Sequence, residues 1–163
     1  MPSSLSHEIA AGAARLVVEE GLEYGPAKKR AARALGKHSP RPGDLPTNDE
    51  VEDEVREYLA LFCADTQPAE LHALREVAAA WMARLAPFRP HLTGAVWRGT
   101  ATRLNCVHLQ LYCADSKAAA LALIDAHIPY DVGSLDSPHG EPVTVLSLAT
   151  PSPALGEPVT VHL

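Results

Sequence analysis

Prolines at Pro87 and Pro90 mark the point where the spacing of apolar residues changes from about 3.6 to two. Before them, apolar residues recur every three or four positions, as over residues 51–59, which predicts helices. After them, apolar and polar residues alternate, which predicts strands. We therefore expect an α+β protein. A helical segment of about four helices, residues 1–90, precedes a β-rich core, residues 91–163, with a small mixed sheet and a crossover helix.

Helix-boundary signals divide the first segment into four helices. Thr47 and Glu50 form a capping box, since the hydroxyl and the carboxylate can each bind a backbone N–H that the helix leaves unpaired. Ser6 is placed to cap the first helix, and Gly21 is placed to end it. We expect helices over about residues 6–21, 26–36, 48–62 and 68–86, with a surface loop at residues 37–46.

The second segment predicts strands and one further helix. The expected strands cover residues 95–97, 105–113, 128–132, 143–148 and 159–163. The helix is expected to begin at Asp115 or Ser116. In the second strand, two sets of residues alternate, which is typical of a half-buried strand. One face carries Val107, Leu109, Leu111 and Cys113, and the other carries Cys106, His108, Gln110 and Tyr112.

One hexapeptide, GEPVTV, occurs twice in the second segment, at residues 140–145 and 156–161. In both copies a proline opens a β-branched run, which is tolerated at the first residue of a strand or at a sheet edge. The repeat therefore predicts two similar strands that tend to lie at an edge of the sheet. Two copies are too few to predict a solenoid.

Composition and charge narrow the function classes. Apolar residues make up 47% of the chain, and no run approaches the roughly 18 apolar residues of a membrane crossing, so no membrane partner is expected. Three cysteines and an N-terminus without secretion-signal features predict a cytoplasmic location and no disulfide framework. The net charge of −6 disfavours nucleic acid as a partner.

A basic run in the second expected helix is a candidate surface for a protein partner. The candidate partner-binding residues are Lys28, Lys29, Arg30 and Arg33. An acidic run, residues 49–57, follows on the next helix and can either pair with the basic run or form another solvated face. A helical protein–protein interaction module is therefore one alternative for the function.

The common phosphate and hydrolase fingerprints do not occur in this sequence. Neither G-x-x-x-x-G-K-[ST] nor G-x-G-x-x-G is found, so the sequence supports neither a P-loop nor a dinucleotide site. No G-x-S-x-G elbow occurs, and the isolated serines have no evident partner base, which argues against that hydrolase chemistry. Cys106 and His108 lack the spacing of a zinc site, and we predict no metal site.

The segment GAVWRGTATRLNCVHLQLY, residues 94–112, carries a resemblance to a known family. With a helix before it and a capped helix after it, the segment resembles the core of the polymerase-β-like nucleotidyltransferases. In that family a short strand leads to a Gly-Ser turn and then to a strand with an Asp-x-Asp pair. The resemblance places Gly99 and Thr100 at the turn, and Cys106 and His108 at the positions of the paired carboxylates.

The whole chain is also similar to a group of short proteobacterial proteins. Stretches such as EEGLEYGPAKKRAARALG and FRPHLTGAVWRGTATRL carry this similarity. Members are labelled nucleotidyltransferase or UDP-N-acetylmuramate–alanine ligase. The ligase label does not fit, because such ligases need a P-loop for ATP and more domains than this chain holds. The similar proteins continue beyond this point, so the last strand is expected to be truncated and to offer a sheet edge for dimerisation.

The resemblance implies a nucleotidyltransferase-like fold, and the residues at its key positions imply the loss of its chemistry. Magnesium-dependent nucleotidyl transfer needs hard oxygen ligands, whereas cysteine and histidine are softer. We therefore expect a pseudoenzyme without a cofactor, which binds a nucleotide-like ligand or a partner protein on the open face of its sheet. The candidate ligand-binding residues are Arg98, Gly99, Thr100, Arg103, Cys106 and His108.

An active nucleotidyltransferase remains an alternative. Its carboxylates would come from other positions, namely Asp131, Asp136 or Glu141, and it would require magnesium. The catalytic residues of such an enzyme are not identified by the sequence.

Overall fold

Six α-helices and a five-stranded mixed sheet make up residues 3–163, the part of the chain that the computed structural model describes. The α+β expectation is thereby confirmed. The helices are α1 (Ser4–Glu20), α2 (Tyr24–Ala34), α3 (Asn48–Phe62), α4 (Gln67–Arg84), α5 (Gly94–Arg98) and α6 (Ala118–Asp125). The strands are β1 (His91–Thr93), β2 (Val107–Gln110), β3 (Asp131–Asp136), β4 (Pro142–Ser152) and β5 (Glu157–His162).

The chain divides into two compact units, the first ending at Pro68 and the second spanning Ala69–Leu163. The sequence places the boundary near residue 90, whereas α4 from Ala69 onwards falls in the second unit with the sheet. The reason is that the buried residues of α4, including Leu74 and Trp81, belong to the same apolar cluster as the strands.

The first unit is built on α1, α2 and α3. Its core is made of small and β-branched side chains, listed here: Ile9, Ala10, Ala13, Ala14, Val17, Val18, Ala27, Ala31, Ala32, Val51, Val55 and Leu59. A polar contact joins α1 to α3 at the surface, where Tyr58 Oη donates to Glu19 Oε1 over 2.5 Å. This hydrogen bond, together with Arg15, lowers the pKa of Glu19, and the same bond raises the pKa of Tyr58.

The helix caps in the first unit follow the sequence with one exception. The Thr47 N–H donates to Glu50 Oε2 over 2.6 Å, and the Glu50 N–H donates to Thr47 Oγ1 over 3.2 Å, so the capping box is confirmed. Gly21 ends α1 with a φ of 70°. The first N-cap was expected at Ser6, but Ser3 holds that position and accepts the Ser6 N–H over 3.1 Å.

The second unit packs helices on one face of the sheet, whose strand order is β1-β2-β5-β4-β3. Only β2 and β5 are parallel, and the other pairs are antiparallel. The covered face carries the buried side chains Val107, Leu109, Leu146, Leu148, Val159 and Val161, which cluster with residues of α4, α5 and α6. The opposite face of the sheet is the open face.

The strand predicted at residues 95–97 is wrong, because these residues form α5. Their β-branched and aromatic side chains favour a strand. However, Arg75 from α4 donates to the carbonyls of Val96 and Trp97 over 3.0 and 3.2 Å, which satisfies acceptors at the end of the short helix. The strand that precedes β2 is β1 instead, directly before α5.

The last strand is not an edge strand, contrary to the sequence expectation. β5 lies between β2 and β4, and β4 lies between β5 and β3, so neither strand is at the end of the strand order. Each GEPVTV copy is nevertheless paired on one side only over most of its length, since residues 142–145 pair with β3 alone and residues 157–160 pair with β4 alone. Their prolines are tolerated because Pro142 is paired only with β3 and Pro158 only with β4. The two edges of the sheet are β1 and β3.

Candidate functional site

The expected phosphate-binding turn at Gly99 is a helix end held by internal hydrogen bonds. Gly99 terminates α5 with a φ of 87°, a backbone conformation that favours glycine. The N–H groups of Gly99 and Thr100 both donate to the carbonyl of Ala95, over 2.9 and 3.0 Å. Arg98, just before the turn, is exposed. The turn therefore directs its backbone donors into its own helix rather than outwards.

Thr100 lies beneath the surface, with a side chain that is only 4% exposed. Its hydroxyl has no hydrogen-bond partner among residues 3–163. Two residues further on, the Thr102 N–H donates to Asn105 Oδ1 over 2.8 Å, which fixes the loop that leads to β2. Thr100 is thus part of the packed interior and is not positioned on the open face.

Arg103 binds other parts of the second unit. Its Nε donates to Glu157 over 3.1 Å, and its Nη2 donates to the Leu155 carbonyl over 3.1 Å. Its backbone N–H donates to a Glu70 carboxylate oxygen over 2.9 Å. Glu157 begins β5 and His162 ends it, so Glu157, the partner of Arg103, lies about 16 Å along the strand from His162, the sheet neighbour of His108. The hydrogen bonds of the Arg103 side chain are thus with Glu157 and Leu155 rather than with the residues around His108.

His108 belongs instead to a row of side chains that crosses all five strands. The row, which we call the polar row, consists of Thr93, His108, His162, Ser147 and Asp131. Because register partners project from the same side of a sheet, all five lie on the open face. Asp131 is exposed, and the other four are half-buried. Cys106, two residues before His108, is also half-buried.

Two histidines form the centre of the polar row. The ring centroids of His108 and His162 are 5.0 Å apart, with the planes tilted by 31°. Close beside them, a Cβ atom added at Gly94 would lie 3.4 Å from His108 Cδ2, so the backbone there approaches the ring. The two imidazoles therefore offer neighbouring ring faces and nitrogen atoms on a solvent-accessible sheet surface.

Ser147 continues the row on the other side of His162. Its Oγ lies 2.7 Å from His162 Nδ1, which is hydrogen-bond distance. The sequence indicated no partner base for any serine, and this contact corrects that expectation. Two consecutive strands joined by a short connection are expected to pair, so the sequence could have suggested that β4 and β5 are neighbours. Only the pairing register, however, shows that Ser147 lies opposite His162.

The carboxylates of the active-transferase alternative do not converge. Asp131 and Asp136 stand at opposite ends of β3, five residues apart, and therefore project from opposite faces. Glu141 immediately precedes β4, whose first residue pairs with Asp136. Among residues 3–163 there is no group of three or more histidine, cysteine, aspartate and glutamate side chains arranged to hold a metal ion.

The basic run of α2 is partly engaged within its own unit. Lys28 Nζ donates to Asn48 Oδ1 over 2.9 Å and to the Pro46 carbonyl over 3.1 Å, and Arg30 pairs with Glu20. Lys29 and Arg33 are exposed. The partner-binding hypothesis for this helix stays a prediction, with Lys29 and Arg33 as its accessible cations.

A cavity of about 170 Å³ lies between α1 and α3 in the first unit. Its lining residues are Ser6, His7, Ala10, Glu50, Asp53 and Glu54. The Glu50 carboxylate already accepts the capping bond from Thr47, and Glu54 lies 3.2 Å from His7 Nδ1. Two of its three carboxylates therefore have partners within the unit.

Comparisons with known proteins add no relative: no family model, no curated protein and no solved structure matches the chain. The resemblance to nucleotidyltransferases therefore stays a prediction. None of the helices within residues 3–163 is both long and apolar enough to cross a lipid bilayer.

Proposed function

We propose that the chain is a nucleotidyltransferase-like binding module that holds a small, nucleotide-like ligand against the polar row without metal-dependent catalysis. The observation that carries the proposal is the pair of imidazoles at His108 and His162, with centroids 5.0 Å apart on the open face. Imidazole faces stack on nucleobases, and imidazole nitrogens bind phosphate or sugar oxygens. The hydroxyls of Thr93 and Ser147 flank the pair in register.

The absence of metal-dependent catalysis in this proposal follows from the chemistry of the residues. The resemblance assigns Cys106 and His108 to the positions of the family's carboxylates, and magnesium prefers oxygen ligands. Asp131 is the carboxylate of the polar row, and it is three strands away from His108, about 14 Å. A triphosphate near His108 would thus avoid the negative charge of Asp131 but would lack a carboxylate-held metal.

Calorimetric titration with ATP and GTP, each with and without magnesium, tests the proposal. We expect binding with a submillimolar Kd, changed by less than about twofold when magnesium is added. His108→Ala is expected to weaken binding at least tenfold, because it removes one of the two stacking rings. His139→Ala is the matched control, since His139 is an exposed histidine in the β3–β4 turn, and it should leave the Kd unchanged.

Two results would contradict the proposal. No heat at millimolar nucleotide would remove nucleotide-like ligands. Binding that requires magnesium and is accompanied by transfer of a nucleotidyl group would establish the active-transferase alternative instead. Circular dichroism of each variant ensures that a weaker Kd does not reflect unfolding.

A further inference from the structure

Ser147 and His162 form a hydrogen-bonded pair of a potential nucleophile and a base. We propose that this pair constitutes an acyl-transfer site, with Ser147 as the nucleophile, His162 as the general base and an ester of an apolar acyl group as the substrate. This activity goes beyond the proposed nucleotide-like binding and does not depend on it.

The geometry meets the first requirement for an activated serine, a base within hydrogen-bond reach. Ser147 Oγ and His162 Nδ1 are 2.7 Å apart. In the tautomer with its proton on Nε2, His162 accepts the serine proton at Nδ1. The two residues are direct register partners on β4 and β5, so two paired strands hold the contact. The ring of His108 lies beside that of His162, with centroids 5.0 Å apart.

Both side chains are half-buried on the open face, so a substrate can reach them. This separates the pair from a serine–histidine hydrogen bond enclosed in a core. The neighbouring row on the opposite face of the sheet, Val107, Val161 and Leu148, is fully covered, with each residue at most 4% exposed. Ser147 therefore combines a nearby base with access from solvent.

Apolar side chains lead away from Ser147 along the open face and indicate the substrate class. We call them the apolar strip, and they are Val145, Val143 and Leu135. Val145 and Val143 precede Ser147 at alternate positions of β4, and Leu135 is the register partner of Val143. Leu135 and Val143 are 64% and 53% exposed. The strip is about 13 Å long from Ser147 to Val143, which suits an extended acyl chain.

The proposed reaction has two balanced stages. In the first, Ser147 Oγ bonds to the ester carbonyl carbon while its proton passes to His162 Nδ1. The bond to the leaving oxygen then breaks, and the alcohol departs with that proton. In the second, water attacks the acyl-serine, His162 again takes and returns a proton, and the carboxylic acid leaves as Ser147 is restored. The sum is ester plus water giving acid plus alcohol.

Hydrolysis of p-nitrophenyl octanoate and p-nitrophenyl acetate by the full chain, without nucleotide, tests the proposal. We expect Ser147→Ala and His162→Gln each to reduce kcat/KM at least a hundredfold, the size of a general-base contribution. Ser134→Ala is the matched control, because Ser134 is an exposed serine of β3, and it should leave both rates unchanged. Val143→Ser is expected to lower the ratio of the octanoate rate to the acetate rate about fivefold, because the acetyl group is too short to reach Val143.

A fluorophosphonate probe provides a second readout, since Ser147 Oγ would bond to phosphorus with loss of fluoride and its proton. Peptide mass spectrometry should find the adduct on Ser147 in the natural chain and none in Ser147→Ala. An adduct at another residue, or ester hydrolysis that survives Ser147→Ala, would overturn the proposal. Because no nucleotide is present, these outcomes are independent of the calorimetric titration.

Discussion

The two copies of GEPVTV share every residue but lie in different surroundings. Each copy begins with a glycine at positive φ, 83° at Gly140 and 68° at Gly156, and each continues into the second strand of a hairpin. The valine at the fourth position, however, is 53% exposed in the first copy, at Val143, and 5% exposed in the second, at Val159. The local structure is repeated and the burial is not.

The difference arises from the position of each copy in the sheet. The second copy lies in β5, between β2 and β4, and its valines project onto the face covered by α4 and α6. The first copy pairs only with β3, and its valines project onto the open face beside Ser147. Identical residues thus stabilise the core in one place and form an accessible apolar strip in the other. Burial is a property of the sheet neighbours rather than of the hexapeptide.

The largest expected difference between the copies concerns the fourth-position valines. Val159→Ala removes buried methyl groups and leaves a small cavity, so we expect the free energy of unfolding to fall by about 2 kcal/mol. The matched change Val143→Ala removes mostly exposed atoms and should cost less than about 0.5 kcal/mol. Urea denaturation of both variants measures the two values. Equal losses would show that the first copy is also buried in solution.

The sequence predicts those elements of the fold that depend on residues close together in the chain. The Thr47–Glu50 capping box and the Gly21 helix end were predicted because they depend on residues within one turn of the helix. The short helix at residues 94–98 was not, because Arg75 caps it from a helix about 20 residues earlier in the chain. Local signals outline elements, and long-range partners can change their type.

The candidate site depended even more on long-range partners. Alternation correctly placed Val107 and Leu109 on the buried face of β2 and His108 opposite to them. The rest of the polar row comes from four other strands, and the strand order does not follow the order along the chain. Without that order, the sequence cannot show that His162 lies beside His108 or that Arg103 binds the far end of β5.

The two copies share an opening glycine at positive φ, which should contribute equally to stability in both. Gly140→Ala and Gly156→Ala should each lower the free energy of unfolding by about 1 kcal/mol, because an L-residue at positive φ is strained. An added Cβ meets no atom within 4 Å at either position, so the cost should be similar in both turns. Gly133→Ala is the control, since its φ lies outside the positive range and its Cβ also meets no atom.

Urea denaturation again gives the measurement. If Gly156→Ala lowered the free energy of unfolding and Gly140→Ala did not, the first turn would have to relax to another conformation when its glycine is replaced. The two copies would then differ in local structure as well as in burial. A similar loss in Gly133→Ala would mean that alanine is unfavourable in these strands for reasons other than φ.

The smallest expected difference concerns the glutamates at the second position of each copy. Glu157 accepts from Arg103 Nε over 3.1 Å, whereas Glu141 has no such partner among residues 3–163. The Arg103 and Glu157 side chains are 46% and 45% exposed, so solvent screens the pair and its contribution should stay below about 1 kcal/mol. Glu157→Gln should therefore reduce stability slightly at low salt, and Glu141→Gln should leave it unchanged.

Salt concentration distinguishes an ion pair from a packing effect. Raising the ionic strength from about 0.01 to 1 M shortens the Debye length from about 30 to 3 Å, so the loss caused by Glu157→Gln should shrink at high salt. A loss that persists in 1 M salt would instead assign the role of Glu157 to the shape of the loop that holds Arg103. In that case packing alone would distinguish the two copies, both at their glutamates and at their valines.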